Sequence, residues 1–304
     1  KRFGGSVLNC AINKYVYVTV KRHSPFFKEK FRINYSSSEV GNQLSKIENN
    51  IVRECLKLTK INFPIYISTV SDVPTGSGLG GSSSFTVGLL KALYAIQKKR
   101  VDKKKLFQDA CKIEIDILKE PIGKQDQVPA VYGGLNFIIF NKNETVKIFK
   151  FKKKQLNDKL TKQSLLIWTE ATRNASDVLR NQKKNFKTNL KNLINLKDYA
   201  DKFHKNFKLR GIINVKQLGD LINKSWNEKK KLSKKISQKK IDKIVDDSIN
   251  FGCYGAKLLG AGGGGFILII GKRENLNSLK NKYNNLDSLK FNLNNVGSEI
   301  ISII

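Results

Sequence analysis

The segment Pro74-Thr75-Gly76-Ser77-Gly78-Leu79-Gly80-Gly81-Ser82-Ser83-Ser84-Phe85 contains four glycines and five hydroxyl side chains. The residues before it, 65–70, are rich in β-branched types and predict a strand, and the apolar spacing of residues 85–96 predicts a helix. Glycines let backbone N–H groups approach an anion, and a helix N-terminus adds about half a positive charge. We therefore predict a strand, a phosphate-binding loop and a helix, in that order.

Other types of glycine-rich segment fit this loop less well. Gly76, Gly78 and Gly81 match the dinucleotide fingerprint G-x-G-x-x-G, but residues 71–74 separate the loop from its strand, and Asp102 follows a basic run where a ribose-binding acid should end a strand. A Walker loop needs Gly-Lys-Ser/Thr, and no lysine follows Gly81. A flexible linker rarely joins a strand to an amphipathic helix. A nucleotide-binding dehydrogenase remains the alternative class.

Two further blocks accompany the loop. Residues 257–266 read K-L-L-G-A-G-G-G-G-F, and Glu114 precedes G-K-Q-D-Q at 123–127. The run Pro-x-Gly-x-Gly-Leu-Gly-x-Ser-Ser resembles the second signature of the GHMP small-molecule kinases, and 257–266 resembles the third signature. Glu114 and Asp126 are similar to the family's Mg²⁺-binding glutamate and catalytic aspartate. The blocks stand in the family's order across most of the chain.

The resemblance implies a fold and its cofactors. It implies a two-domain α+β GHMP kinase fold, with an N-terminal ribosomal-protein-S5-like domain at 1–155 and a C-terminal α+β domain at 156–304. Strands and helices that interleave without regular βαβ spacing independently favour α+β. ATP and Mg²⁺ are the implied cofactors, and a homodimer is compatible with the resemblance.

The resemblance also implies site residues. Asp126 is the catalytic and substrate-contacting residue, and Ser82 and Glu114 are the metal ligands. The nucleotide-binding residues are Pro74, Gly76, Ser77, Gly78, Leu79, Gly80, Gly81, Ser82, Ser83, Gly262, Gly263 and Gly264. Gly5, Asn9 and Arg173 are the other substrate-binding candidates. Alternatives remain: Asp126 as a loop carboxylate paired with Lys124, Arg173 as part of a helix cap, and 262–265 as a flexible turn.

One branch of the family is most similar. Residues 4–15, 123–127, 132–137 and 172–176 resemble bacterial D-glycero-D-manno-heptose 7-phosphate kinases. The resemblance implies ATP-dependent phosphorylation of a sugar or sugar-phosphate hydroxyl, at the anomeric position for the heptose. A kinase for a free sugar such as fucose is one alternative, because the sequence does not identify the sugar. A non-catalytic nucleotide-binding relative is the other, because Gly81 stands where this branch usually has a serine.

The start of the chain departs from the family pattern. Family members carry an apolar strand, an arginine and a Gly-Gly-Gly-Thr-Asp-like loop ahead of the 4–15 block, and nothing of that kind precedes Lys1. We expect this segment to lie upstream and to supply the basic partner of Asp126. A chain that begins at Lys1 should then bind nucleotide but phosphorylate sugar poorly.

Composition excludes several classes of protein. The net charge is +32, but lysine spread along the whole chain supplies most of it, whereas base readout and bidentate phosphate binding favour arginine. We therefore predict no specific nucleic acid, and we assign lysine runs such as 229–231 to solvated faces. The four cysteines lack C-x-x-C spacing, which is typical of reduced thiols and a cytoplasmic protein. No apolar run reaches the roughly 18 residues of a membrane span.

The pattern outside these blocks predicts several further elements. Residues 15–20 and 31–35 predict the two strands of a hairpin, and 39–58 and 103–119 predict helices. Residues 133–140 and 145–151 predict a second hairpin. We expect mostly helix from the strand at 164–169 to residue 250, a buried strand at 266–270, a helix at 278–283 and a closing strand at 299–304.

Overall fold

The structure is a computed structural model that describes residues 4–151, 154–172, 175–212 and 214–302. Strands and helices are numbered in chain order. The strands are β1 (Gly5–Cys10), β2 (Val16–Arg22), β3 (Phe31–Asn34), β4 (Ser38–Gly41), β5 (Ile65–Ser71), β6 (Leu135–Phe140), β7 (Val146–Phe151), β8 (Ser164–Trp168), β9 (Gly255–Leu258), β10 (Phe266–Ile270) and β11 (Ser288–Leu289). The α-helices are α1 (Asn50–Thr59), α2 (Gly81–Ile96), α3 (Lys103–Cys111), α4 (Gln127–Tyr132), α5 (Lys154–Lys162), α6 (Ala175–Lys184), α7 (Leu190–Arg210), α8 (Val215–Lys231), α9 (Lys239–Asn250) and α10 (Arg273–Lys282).

The chain divides into two compact units that are discontinuous in sequence. The first, called here the α2 unit, comprises Lys14–Pro74, Gly80–Gly133 and Asn294–Ile304. The second, called the α8 unit, comprises Lys1–Asn13, Thr75–Leu79 and Gly134–Leu293. The two units are described separately below.

The α2 unit contains a four-stranded sheet in the order β2-β5-β3-β4. Strand β5 is antiparallel to β2 and parallel to β3. The predicted hairpin of 15–20 with 31–35 is therefore wrong, because β5 lies between those strands. Ile65 and Ile67 of β5 are fully buried, so the sheet has one apolar face.

The predicted helix at 39–58 is wrong in its first half. Residues Ser38–Gly41 form β4, which pairs antiparallel with β3. Helix α1 begins only at Asn50, because the side-chain oxygen of Asn49 accepts the Val52 amide at 3.1 Å and caps the helix there. Apolar residues spaced at helical intervals then bury one face of α1.

The predicted helix at 103–119 changes type along its length. Helix α3 begins after Asp102, whose carboxylate accepts the Lys105 amide at 2.6 Å. It ends at Cys111 and continues as a π-helix over Lys112–Ile117. A π-helix widens the turn and shifts the direction of the side chains after it, and such segments are common at functional sites.

The α8 unit contains two sheets. One has three strands in the order β1-β6-β7, which confirms the predicted hairpin of 133–140 with 145–151. The other has four strands in the order β11-β8-β10-β9, and β10 is antiparallel to both neighbours. Trp226 of α8 is fully buried in a core with residues of β8, β9 and β10. The predicted mixture of helix and sheet is confirmed.

The end of the described chain differs from the prediction. The helix expected at 278–283 is α10, which begins five residues earlier, and residues 299–302 of the expected closing strand form no strand. Instead, Lys91 and Lys103 donate to the carbonyls of Ser298 and Val296 and hold this tail in the α2 unit. Within the described ranges, no helix has the length and apolar character needed to cross a membrane.

Candidate active site

The N-terminus of α2 faces the carboxylate of Asp126. Gly80 precedes the helix in the left-handed conformation, with φ at 74°. A Cβ placed on Gly80 would lie 3.6 Å from the Asp126 Cβ and 3.8 Å from its Cγ. Asp126 itself immediately precedes α4. Gly80, at the end of the predicted phosphate-binding loop, and the predicted catalytic residue are thus neighbours in the α2 unit.

Glu114 lies beside the same helix start. Its Oε1 accepts the Ser82 hydroxyl at 2.9 Å, and its Oε2 accepts the Gln127 side-chain amide at 2.7 Å. Glu114 is only 1% exposed and Gln127 is fully buried. The structure therefore brings together the two predicted metal ligands, Ser82 and Glu114, although their metal-binding role stays a prediction.

Gln127 is a site residue that the sequence analysis did not assign. Its Nε2 orients Glu114, whereas its Oε1 is buried and accepts no hydrogen bond within the described residues. The signal in the sequence was its place next to Asp126 in G-K-Q-D-Q. That spacing did not predict the contact, because Glu114 approaches from a π-helix and not from the expected α-helix.

Some of the groups around Glu114 raise the pKa of its carboxyl, and others lower it. Burial, the largest effect, raises the pKa of this carboxyl, and the nearby charge of Asp126 raises it further. Hydrogen bonds from Gln127, Ser82 and Ser83 oppose that rise in pKa. The net pKa is raised, so Glu114 carries its charge at a cost that a cation at this position would lower.

The oxygen atoms of the side chains beside the start of α2 fit Mg²⁺ better than a metal ion whose ligands must all come from the protein. Ser82 and Glu114 offer hard oxygen atoms, and Gln127 has a buried oxygen without a partner in the described ranges. Mg²⁺ typically takes one or two protein oxygens and completes its shell with phosphate and water. Within the described part of the chain, no group of three or more His, Cys, Asp or Glu could hold a metal.

The first glycine loop, residues 74–80, has a backbone suited to an anion. Gly76, Gly78 and Gly80 alternate with other residues and adopt φ values of 76°, 81° and 74°. Within the described residues, the amides of 76–83 donate to no protein acceptor. Unsatisfied amides at a helix start form an anion-binding site. Pro74 is exposed and Leu79 is half-buried at the two ends of this loop.

The second glycine loop, residues 259–265, packs against the first one inside the α8 unit. The Phe266 amide donates to the Ser77 carbonyl at 3.0 Å. A Cβ on Gly260 would lie 2.6 Å from the Gly78 Cα, and a Cβ on Gly265 would lie 2.5 Å from the Ser77 carbonyl oxygen. These contacts place the second glycine loop directly beside the first.

Side chains from outside the second loop bind its carbonyl groups. Thr169 donates to the Gly265 carbonyl at 2.8 Å, and Gln238 donates to the Gly263 carbonyl at 2.6 Å. In contrast, the amides of Ala261, Gly262 and Gly264 donate to no acceptor within the described residues. These contacts hold the backbone of the second glycine loop, while the nucleotide-binding role of Gly262, Gly263 and Gly264 and the alternative of a flexible turn at 262–265 stay predictions.

The other predicted substrate residues lie elsewhere in the α8 unit. Gly5 and Asn9 are in β1, opposite Phe140 and Asn136 of β6. Their role in substrate binding stays a prediction. Arg173 lies outside the described residues, so both of its alternatives remain predictions.

Comparison with known proteins identifies the family. Residues 49–134 match the GHMP kinases N terminal domain, and residues 203–287 match the GHMP kinases C terminal domain. The chain is 31% identical over 283 residues to a D-glycero-alpha-D-manno-heptose 7-phosphate kinase of Campylobacter jejuni, covering 88% of this chain and 81% of that relative. The chain belongs to the GHMP kinases. This GHMP kinase has ATP as its phosphate donor and an alcohol group as its acceptor, which confirms the predicted enzyme class.

Two further relatives agree with this assignment. A mevalonate kinase of Methanocaldococcus jannaschii is 30% identical over 228 residues, covering 74% of this chain and 67% of that relative. The crystal structure of a D-glycero-D-manno-heptose 1-phosphate kinase from Bacteroides thetaiotaomicron has a TM-score of 0.76 at 23% identity and covers 99% of this chain and 92% of that chain. The predicted two-domain GHMP kinase fold is confirmed.

The family assignment also decides one earlier alternative. The dehydrogenase reading is wrong, and Asp102, its ribose-binding candidate, caps α3 instead. The domain division at 155 and 156 falls between the two matched segments, but neither these segments nor the compact units test it, so it stays a prediction.

Proposed function

We propose that this GHMP kinase transfers the γ-phosphoryl group of ATP to the anomeric hydroxyl of D-glycero-D-manno-heptose 7-phosphate. Support for this acceptor comes from the Campylobacter jejuni relative, which is similar over most of both chains. The mevalonate kinase at 30% identity shows that similarity of this size spans different acceptors, so the sugar needs a direct assay.

The observation that carries the proposed chemistry is the position of Asp126 beside Gly80, at the N-terminus of α2. Phosphoryl transfer depends mainly on positioning and on neutralising charge. The amides of 76–83 would hold the phosphate chain, because they have no protein acceptor within the described ranges. Asp126 lies beside Gly80 at the start of α2, where it would reach the acceptor hydroxyl.

The proposed reaction has one proton transfer and one phosphoryl transfer. Asp126 accepts the proton of the acceptor hydroxyl, and that oxygen forms a bond to the γ-phosphorus. The bond from this phosphorus to the β,γ-bridging oxygen breaks, and ADP leaves. Ser82 and Glu114 would hold Mg²⁺, which neutralises phosphate charge when bound. Gln127 keeps Glu114 oriented toward that position.

The proposal also covers the cellular location and the oligomeric state of the enzyme. Scattered cysteines without disulfide spacing support a cytoplasmic enzyme, and the four cysteines are free thiols in the structure. A homodimer would be compatible with this activity. Neither property is needed for the chemistry described above.

A panel of acceptors tests the proposed substrate. We would measure ADP release by the full-length protein with D-glycero-D-manno-heptose 7-phosphate, fucose and mevalonate at matched concentrations. The proposal predicts that the heptose phosphate has the highest kcat/KM. A higher kcat/KM for fucose would instead identify a free-sugar kinase, and binding of ATP without turnover on any acceptor would identify a non-catalytic relative.

A further inference from the structure

Lys229 ties the second glycine loop to α8. Its Nζ donates to the Leu258 carbonyl at 3.2 Å and also to the Gly260 carbonyl. Leu258 is the last residue of β9, and Gly260 is the first glycine of the loop. One ammonium group therefore holds the end of the strand and the start of the loop together. An ammonium has three donors, and hydrogen bonds from a charged donor are roughly twice as strong as neutral ones.

The position of Gly260 determines the position of Gly78. A Cβ on Gly260 would lie 2.6 Å from the Gly78 Cα, and a Cβ on Gly78 would lie 3.1 Å from the Leu259 carbonyl oxygen. The two backbones are therefore in direct contact. A shift of Gly260 would displace the first glycine loop, or would leave a gap that removes its support.

Lys229 differs from the lysines that follow it. Lys230 pairs with Asp242 at 3.1 Å, and Lys231 pairs with Glu228 at 3.2 Å. Those ion pairs agree with the solvated face that the run 229–231 predicts. Lys229 binds main-chain carbonyl groups at the end of β9 and in the second glycine loop instead, a contact that the solvated-face prediction did not include.

We infer that Lys229 is a positioning residue for nucleotide binding, acting through the second glycine loop on the first. The inference rests on the proposed function, which puts the phosphates of ATP on the amides of 76–83. Lys229 touches neither reactant in this account. Its effect is to keep Gly260 pressed against Gly78, so that the amides of the first loop are already ordered before ATP binds.

The test compares Lys229→Met with the matched control Lys231→Met in the full-length protein. Calorimetry would measure the Kd and stoichiometry of ATP, and steady-state assays would measure KM and kcat. We expect Lys229→Met to raise the Kd and KM for ATP about tenfold, while kcat and the KM for the acceptor change by less than about twofold. Lys231→Met should match wild type. Lys229→Arg, which keeps a charged donor, should recover part of the affinity.

The outcomes separate positioning from a purely structural role. If Lys229 only stabilised the fold, the stoichiometry of ATP binding would fall while the Kd stayed at the wild-type value, which would overturn the inference. Lys229→Gln covers the case in which Lys229→Met fails to fold, and a wild-type Kd in this variant would also overturn it. A wild-type protein that binds no ATP would overturn the proposed function together with this inference.

Discussion

The residues around α2 form a small hydrogen-bonded group with a carboxylate at its centre. Glu114 is nearly inaccessible, and Ser82 and Gln127 donate to its two oxygens. Asp126 adds a second negative charge close to the same helix start and contributes to the raised pKa of Glu114. Two carboxylates so placed have different roles in our account, one toward the metal and one toward the acceptor hydroxyl.

At Asp126, the account predicts a loss of turnover without a loss of ATP binding. Asp126→Asn should lower kcat by roughly 10²-fold or more, because a general base acts in the transition state and contributes little to ATP affinity. Steady-state kinetics and calorimetry would check this. Asp116→Asn, an equal change of charge at an exposed carboxylate, is the control. If Asp126 only paired with Lys124, its variant would keep kcat near the wild-type value.

At Ser82 and Glu114, the account predicts a metal-dependent loss of affinity. Ser82→Ala and Glu114→Gln should each raise the Kd of ATP about tenfold or more in the presence of Mg²⁺, because each removes a hard oxygen ligand. The Kd measured in EDTA should change little. Ser84→Ala, two residues after Ser82 in the first turn of α2, is the control for loss of a hydroxyl. Equal losses with and without Mg²⁺ would indicate that the two residues only support the fold.

At the scale of elements, the signals around the first glycine loop were reliable, whereas the pairing of distant strands and the start of α1 were not predicted correctly. The strand at 65–70, the glycine loop and the helix after it follow from residues within a few positions of one another. The place of β5 between β2 and β3 depends on contacts over more than thirty residues, which no local pattern encodes. The π-helix at Lys112–Ile117 escaped prediction because its residues also fit an α-helical period.

In the candidate site, too, some residues could be identified from the sequence and others could not. The resemblance identified Ser82, Glu114 and Asp126, and the structure places them around one helix start. It did not identify Gln127 or Lys229, because their importance comes from which atoms they contact. Nothing in a run of three lysines distinguishes the one that binds two carbonyls of a glycine loop.

The contact between the two glycine loops yields a prediction at this scale. Gly260→Ala should lower the Tm by several degrees and weaken ATP binding, because its Cβ would lie 2.6 Å from the Gly78 Cα and its φ is 64°. For the Tm, Gly81→Ala is the matched control, since its Cβ would meet nothing within 4 Å and alanine favours the first turn of α2. Thermal unfolding would compare the two variants, and calorimetry would compare ATP binding by Gly260→Ala with that of wild type. A Gly260→Ala protein as stable as Gly81→Ala would contradict the close packing of the loops.

For the whole molecule, charge and family membership agree on an enzyme that binds ATP, which is an anion. The formal net charge is +32, and such a field raises the local concentration of anions such as ATP and a sugar phosphate. The same charge does not indicate nucleic acid, because most of it comes from lysine distributed along the chain. The two matched domains supply the stronger argument, since both are parts of a kinase.

The most direct test of the central claim is ³¹P NMR of the reaction of full-length protein with ATP and D-glycero-D-manno-heptose 7-phosphate. The account predicts that ADP appears together with a second sugar phosphate resonance, split by the anomeric proton. Under the same conditions, Asp126→Asn should give almost none of this product. ADP without a phosphorylated sugar, or as much product from Asp126→Asn as from wild type, would contradict the account.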